Sequence, residues 1–499
     1  MNVRRTLHIL LLIGCLVLIN PVRVPARAFL TASSMLGAAI GQSIDNPEVP
    51  TNQIIVKYIA TASLNSLSGP AQSRQEQRLS QAAGVALNYV RLMSGEAQVF
   101  RLTERLPAGQ IRLISRRLMT LPEVEYAESD AILQHTKVPN DPQYSNQWHY
   151  FDPSAENYGI NAPAAWDVTT GSATVVAAVI DTGVTAHADL SGRTVPGYDF
   201  IADEQIGNDG NGRDSDPRDP GDWITAAESS AGYFAGCPVT NSSWHGTHTA
   251  GTIGAASNNH LGVAGVNWKS KILPVRVLGK CGGYISDVVD GMVWAAGLDV
   301  PGVPDNTYPA KVVNVSLGGS GFCSSTFQDA IDAITAAGAT VVVSAGNSNM
   351  DASGFTPGNC DGVITVAATD RNGSRAYYSN YGPTVEISAP GGAQLINNEP
   401  SGVLSTLNTG AQGPAADTYK YYQGTSMSAP HVTGVVSLLL SLNPTLHPGQ
   451  VLEMLQDTVT SFPAGSTCTT SSCGSGIVNA GAAVADVSAG PLFITIIRQ

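Results

Sequence analysis

Three short motifs, far apart in a chain of 499 residues, hold side chains that together could activate a hydroxyl for attack on a carbonyl. Asp181 closes the apolar run VVAAVI at 175–180 and is followed by Thr182 and Gly183, a turn that leaves its carboxylate at the end of a strand. His245 opens HGTHTAG at 245–251, whose glycines and small residues let a helix start pack closely. Ser426 lies in QGTSMSAPH at 423–431, at the head of a long apolar helix, where free N–H groups and positive potential favour a developing oxyanion. An aspartate that fixes the tautomer of a histidine, and a histidine that takes a serine proton, make a nucleophilic triad. Each residue alone has a plainer reading: a strand-end aspartate caps a turn, a lone histidine or serine is ordinary, and Ser428 has the same claim by composition as Ser426. The order Asp, His, Ser in three specific contexts is what favours chemistry. His245 and His248 could suggest zinc, but they lack the i,i+4 spacing and the glutamate of the helical zinc-peptidase motif. His248 and His431 are read as structural.

Such groups need a scaffold that gathers strand ends and helix starts. Near-continuous β-branched or apolar runs at 175–180, 271–277, 311–315, 340–343 and 363–367 read as strands buried on both faces. Helical patterns fall between or after them, at 245–256, 285–296, 324–337 and 426–442. The alternation predicts an α/β fold, a mostly parallel twisted sheet with helices on both faces and its functional groups at the carboxyl ends of the strands. Ahead of it, strand-like 53–59, 97–102 and 124–132, with helix-like 72–83 and 109–118, predict a small two-layer α+β unit in the order β-α-β-(α)-β. The polar stretch from 133 to 148 reads as a loop or a cleavage site.

Composition narrows the classes. With 43% hydrophobic and 13% charged residues the chain is neither disordered nor coiled coil. Its 26 basic against 39 acidic residues exclude a large basic footprint for nucleic acid. Residues 1–137 are net basic and 138–499 strongly acidic, so the two pieces attract. Arg4 and Arg5 before the apolar run 7–19, with the small-x-small site Ala26-Arg27-Ala28, read as an export signal over 1–28. Residues 29–50 then serve as a linker. The segment LIGC at 12–15 offers the alternative of a lipid on Cys15. Six cysteines remain after the signal, and in an exported chain they argue for disulfides. Sequence does not select among the many connectivities; the expectation is neighbour pairing, Cys237 with Cys281, Cys323 with Cys360 and Cys468 with Cys473. The insertion at 209–222 packs Asp209, Asp214, Asp216, Asp219 and Asp222 together, a loop that either binds calcium or is simply solvated, and its spacing is not that of an EF-hand.

The motifs VIDTGV at 179–184, HGTHTAG at 245–251 and GTSMSAP at 424–430 resemble the three signatures of the subtilisin-like serine peptidases, over roughly 140–486. The resemblance implies a subtilisin-like fold over 138–490 with a short tail at 491–499, and a catalytic Asp181, His245 and Ser426. It implies that Asn347, in SAGN at 344–347, donates its amide to an oxyanion hole. A substrate strand would lie against Ser316, Leu317 and Gly318 on one side and Gly283 and Tyr284 on the other, with Ser344, Ala345, Gly346 and Phe355 near the primary pocket. The unit at 51–137 resembles the family's ferredoxin-like inhibitory propeptide, cut between about Gln134 and Asn140. A structural calcium on Gln147, Asp189 and Asn258 or Asn259 is also implied, with no catalytic cofactor. The function expected is a secreted, autoprocessed and monomeric serine endopeptidase acting on protein and peptide substrates, of broad specificity with apolar preference. The competing classes are an inactive peptide-binding module, a narrow processing protease and a zinc hydrolase.

Overall fold

Successive residues of one strand show how the main domain is built. In strand β1 (Val176–Asp181) Ala177 and Val179 enter the apolar cluster on one face of the sheet, while Val176, Ala178 and Ile180 enter the cluster on the other. Side chains alternate along a strand, so a segment with helices on both faces must be apolar throughout. The computed structural model describes residues 50–59, 70–106, 108–132, 137–154 and 157–489. The export signal with Cys15, residues 133–136 and the tail lie outside them, as does all but the last residue of the linker.

The sheet has seven parallel strands: β1, β2 (Tyr198–Asp199), β3 (Lys271–Arg276), β4 (Val312–Val315), β5 (Thr340–Ser344), β6 (Val363–Thr369) and β7 (Ile387–Pro390). Their order is β7-β6-β5-β4-β1-β3-β2. From β1 the chain goes to the edge strand β2 and returns to β3 between them, and from β4 it steps outward to the other edge, so β1 and β4 flank the switch point where open α/β sheets bind ligands. Helix α1 (His245–Gly254) and helix α2 (Thr425–Leu442) pack together on one face. Helix α2 is the one described helix long and apolar enough to cross a membrane, and it is 83% buried as the core helix of this domain.

The strands and helices read from sequence are present with ends shifted by a few residues. Two strands of this sheet were not foreseen, the two-residue β2 and the edge strand β7. The N-terminal unit is β-α-β-β-α-β, an antiparallel sheet of Thr51–Tyr58, Asn88–Leu92, Gln98–Leu106 and Val124–Ser129 covered by helices Pro70–Ala83 and Ala108–Leu118. Its own core includes Ile54, Val56, Leu79, Phe100 and Leu118. The strand Asn88–Leu92 was not expected, because only two of its residues are even partly buried and its apolar signal is weak.

The structure holds three disulfides, Cys237–Cys281, Cys323–Cys360 and Cys468–Cys473, in the neighbour pairing. The first two span 44 and 37 residues. By loop-entropy reasoning each disfavours the unfolded chain by about 4 kcal/mol.

Candidate active site

Asp181, the last residue of β1, is fully buried. Its carboxylate accepts the N–H of Thr182 at 2.8 Å and the hydroxyl of Thr249 at 3.3 Å. His245 opens α1 so that Nδ1 lies 2.8 and 2.9 Å from the two Asp181 oxygens. Gly246 permits this approach: a Cβ there would stand 2.1 Å from the Gly183 carbonyl. Burial opposes a charge on the His245 ring, yet the Asp181 carboxylate, with Asp222 and Asp219 further off, outweighs it and raises the pKa.

Ser426 is the second residue of α2. Its hydroxyl donates to the Ser316 carbonyl at 3.1 Å, and the Ser316 hydroxyl returns a bond to the Ser426 carbonyl at 3.1 Å. Ser428, by contrast, is fully buried and its hydroxyl has no hydrogen-bond partner, so the composition tie resolves towards Ser426. Asn347 follows β5 by three residues. Its Oδ1 accepts both the N–H and the hydroxyl of Thr425, at 2.8 and 3.0 Å, which turns Nδ2 away as a free donor beside the start of α2.

A cleft of about 670 Å³ runs from His245 between Ser316–Gly318 and Gly282–Gly283. Tyr284 is half-exposed at its rim. Phe355 pairs with Ser320 across a two-residue ladder, and its ring lies between Gly318 and Gly346. A Cβ would fall 2.5 Å from that ring at Gly318 and 2.9 Å at Gly346, so only glycine fits beside it at either place. Ser344 and Ala345 are buried, and the Ala345 N–H and carbonyl bond to Val366 and Asn380. Neither is among the residues that line the cleft.

His248 and His431 are internal and neutral. Burial drives His248 down to about 3, and its ring stacks on Tyr422 at 4.7 Å. Burial likewise takes His431 to about 4; its ring bonds to the Met427 carbonyl and to His149, each at 2.7 Å.

The acidic insertion does not converge on a cation. Asp209 pairs with buried Arg276, Asp214 accepts from Asn211 and the Asp216 N–H, and Asp216 pairs with Arg218. Asp219 accepts the Thr182 hydroxyl and the Gly221 N–H, and Asp222 accepts from Ser243. Each carboxylate has its own protein partner. Among the described residues no three His, Cys, Asp or Glu side chains gather as a metal cluster.

Gln147 is held by the backbone. Its fully buried amide brackets the backbone, accepting the Ala264 N–H at 2.8 Å and donating to the Ala264 carbonyl at 2.9 Å. Asp141, which sequence reasoning passed over, reaches the same loop as Asp189. It accepts the backbone N–H groups of Asn258 and Asn259, while Asp189 accepts from the Asn259 side chain and the Val263 N–H. Burial raises the pKa of both, and the charge of Asp141 adds to the rise at Asp189.

The model of the subtilase family matches residues 171–476. An extracellular protease of Xanthomonas campestris pv. campestris is 47% identical over 401 residues, covering 80% of this chain and 66% of its own length. An extracellular basic protease of Dichelobacter nodosus is 40% identical over 458 residues, 91% of this chain and 73% of its own. Among solved structures, a protease of Pseudoalteromonas arctica PAMC 21717 is 52% identical with a TM-score of 0.67, over 70% of this chain and the whole of that one.

Proposed function

The chain belongs to the subtilase family of serine peptidases, and from that premise we propose that it is an exported endopeptidase that cuts proteins through an acyl-enzyme on Ser426. The observation that carries the reading is His245 held by both oxygens of Asp181 at the switch point of the sheet, in a cleft also lined by Ser316, to which Ser426 is bonded. His245 takes the Ser426 proton as Oγ leaves the Ser316 carbonyl and attacks the substrate carbonyl. Asp181 holds the ring in the tautomer that leaves Nε2 as the base and stabilises the imidazolium. The Asn347 amide and the Ser426 N–H receive the oxyanion. His245 then gives its proton to the departing amine, and water releases the acyl group by the same steps in reverse.

The basic unit at 51–137 serves as an inhibitory propeptide removed between Gln134 and Asn140. Support comes from the segment after the cut, already tied to the catalytic domain: the Lys137 N–H donates to Asp167 and the His260 N–H to Asn140. The test is to express the full chain and follow intact masses and casein hydrolysis with and without a serine-directed inhibitor. The reading requires a mass loss ending near 134–140 and casein cleavage that the inhibitor stops. A well-folded product that cuts no protein, even with calcium added, contradicts it and favours a peptide-binding module.

The Phe355 ring between Gly318 and Gly346 supports a shallow primary pocket that prefers short apolar side chains. Phe355→Gly is expected to raise kcat/KM for a leucine at the cut position, relative to alanine, by about tenfold or more. An unchanged ratio would remove Phe355 from the pocket.

A structural calcium fits Asp141, Asp189 and the loop of Asn258 and Asn259. Both are buried carboxylates, the charge of Asp141 adds to the rise at Asp189, and neither pairs with a Lys or Arg among the described residues. Hard oxygen donors on a flexible loop suit that ion, which would tie the start of the mature chain to the loop after α1. At a hundredfold excess over Kd it would add about 3 kcal/mol, so calcium should raise Tm by several degrees in the wild type and by much less in Asp189→Asn. Equal Tm with and without calcium in the wild type would contradict this.

A further inference from the structure

The cleft is lined almost wholly by backbone and uncharged side chains; among its lining residues the ionisable ones are His245 and Asp222. A substrate paired with 316–318 on one side and 282–283 on the other runs extended, and successive side chains of an extended chain point to opposite faces. The residue whose carbonyl is attacked directs its side chain towards Gly318, Gly346 and Phe355. The residue before it therefore points the other way, to the wall made by His245, Leu278 and Asp222.

Asp222 is fixed at that wall. One carboxylate oxygen accepts the Ser243 N–H at 2.6 Å and the other accepts the Ser243 hydroxyl at 2.7 Å. An ionised carboxylate has about four acceptor positions, so each oxygen keeps capacity for an incoming donor. No Lys or Arg of the described residues pairs with it. Lys280, on the same side of the cleft, is engaged by Glu228 and rests over the rings of Trp223 and Phe234. Asp219, behind it, is bonded to Thr182 and does not line the cleft, and burial raises its pKa to about 7. A cation with a long apolar stem suits this wall, because the stem can lie on Leu278 and Ile224 while its head reaches Asp222.

Resting on the peptidase reading, we propose that Asp222 makes this subsite selective for a lysine or arginine side chain at the second residue before the cut bond. The geometry does not favour glutamate there, whose charge would meet a fixed carboxylate.

The test uses the mature full enzyme and three peptides that differ only at that position, carrying lysine, norleucine or glutamate. Norleucine keeps the stem of lysine without its charge. The wild type is expected to cut the lysine peptide about tenfold better in kcat/KM than the norleucine peptide, and the glutamate peptide least well. That preference should shrink as salt rises. In Asp222→Asn, which keeps the shape of the side chain, the lysine-to-norleucine ratio should fall to near one and lose its salt dependence. A wild type that cuts all three alike overturns the proposal alone. So does an Asp222→Asn enzyme that slows on every peptide while keeping the ratio, since Asp222 would then act only through His245. A wild type that cuts none overturns the peptidase reading and the proposal together.

Discussion

Ser426→Ala is expected to lower peptide-bond hydrolysis roughly a millionfold while the chain stays folded. The loss is that large because the triad acts as a unit: without Oγ there is no covalent step for His245 to assist. A residual rate of about a thousandfold or more over water should survive, supplied by substrate binding and the oxyanion donors. Folding should be spared, since the change removes one hydrogen bond to the Ser316 carbonyl, worth about 1 kcal/mol, and the start of α2 is otherwise unaltered. The measurement is kcat/KM on a short peptide with circular dichroism as the folding control. Ser428→Ala is the comparison: its hydroxyl is buried and unbonded, so activity should persist. Comparable losses in both variants would contradict the assignment. Precursor masses add a second readout. If Ser426→Ala remains unprocessed, the chain matures itself, whereas a processed but inactive variant means that another protease removes the N-terminal unit.

Asp181→Asn is expected to cost about ten-thousandfold in kcat, because an amide in that place favours the wrong histidine tautomer. The pH profile gives a more specific signature. His245 must be neutral to act as the base, so activity in the wild type rises with pH through its pKa. Burial alone would push that pKa below 6.5, and the Asp181 carboxylate is the main influence that raises it. Removing the charge should move the acid limb of the profile to lower pH even as the plateau collapses. A variant whose activity falls without any shift in the limb would assign Asp181 a purely structural role.

The parts legible in sequence share a physical reason. Strands buried on both faces read as unbroken apolar runs, which is why β1, β3, β4, β5 and β6 could be found and the two-residue β2 could not. The edge strand β7, ISAP, carries one large apolar residue and so left no run to detect. Asp181, His245 and Ser426 stood out because each ends or begins an element of strong local pattern.

Partners, by contrast, were not readable. Five aspartates in 209–222 read as one cluster, but each bonds to a partner of its own, Arg276, Asn211, Arg218, Thr182 and Ser243, the farthest 67 residues away along the chain. The partners of Gln147 and Asp141 were unreadable for a similar reason. Spacing does not reveal that a buried amide is already bonded to Ala264, or that a turn residue in PNDP at 139–142 reaches the loop at 258–263. Phe355 was readable as bulky, while its seat between two glycines exists only in the folded chain.

The central claim is that Ser426 is the nucleophile. The direct test is to inactivate the mature enzyme with a fluorophosphonate, titrate residual activity against label incorporated, and locate the added mass by peptide mapping. The account predicts complete inactivation at one label per chain, carried on Ser426, and no labelling of Asp181→Asn at the same rate. Label on another residue, or full activity after Ser426 is labelled, would contradict it.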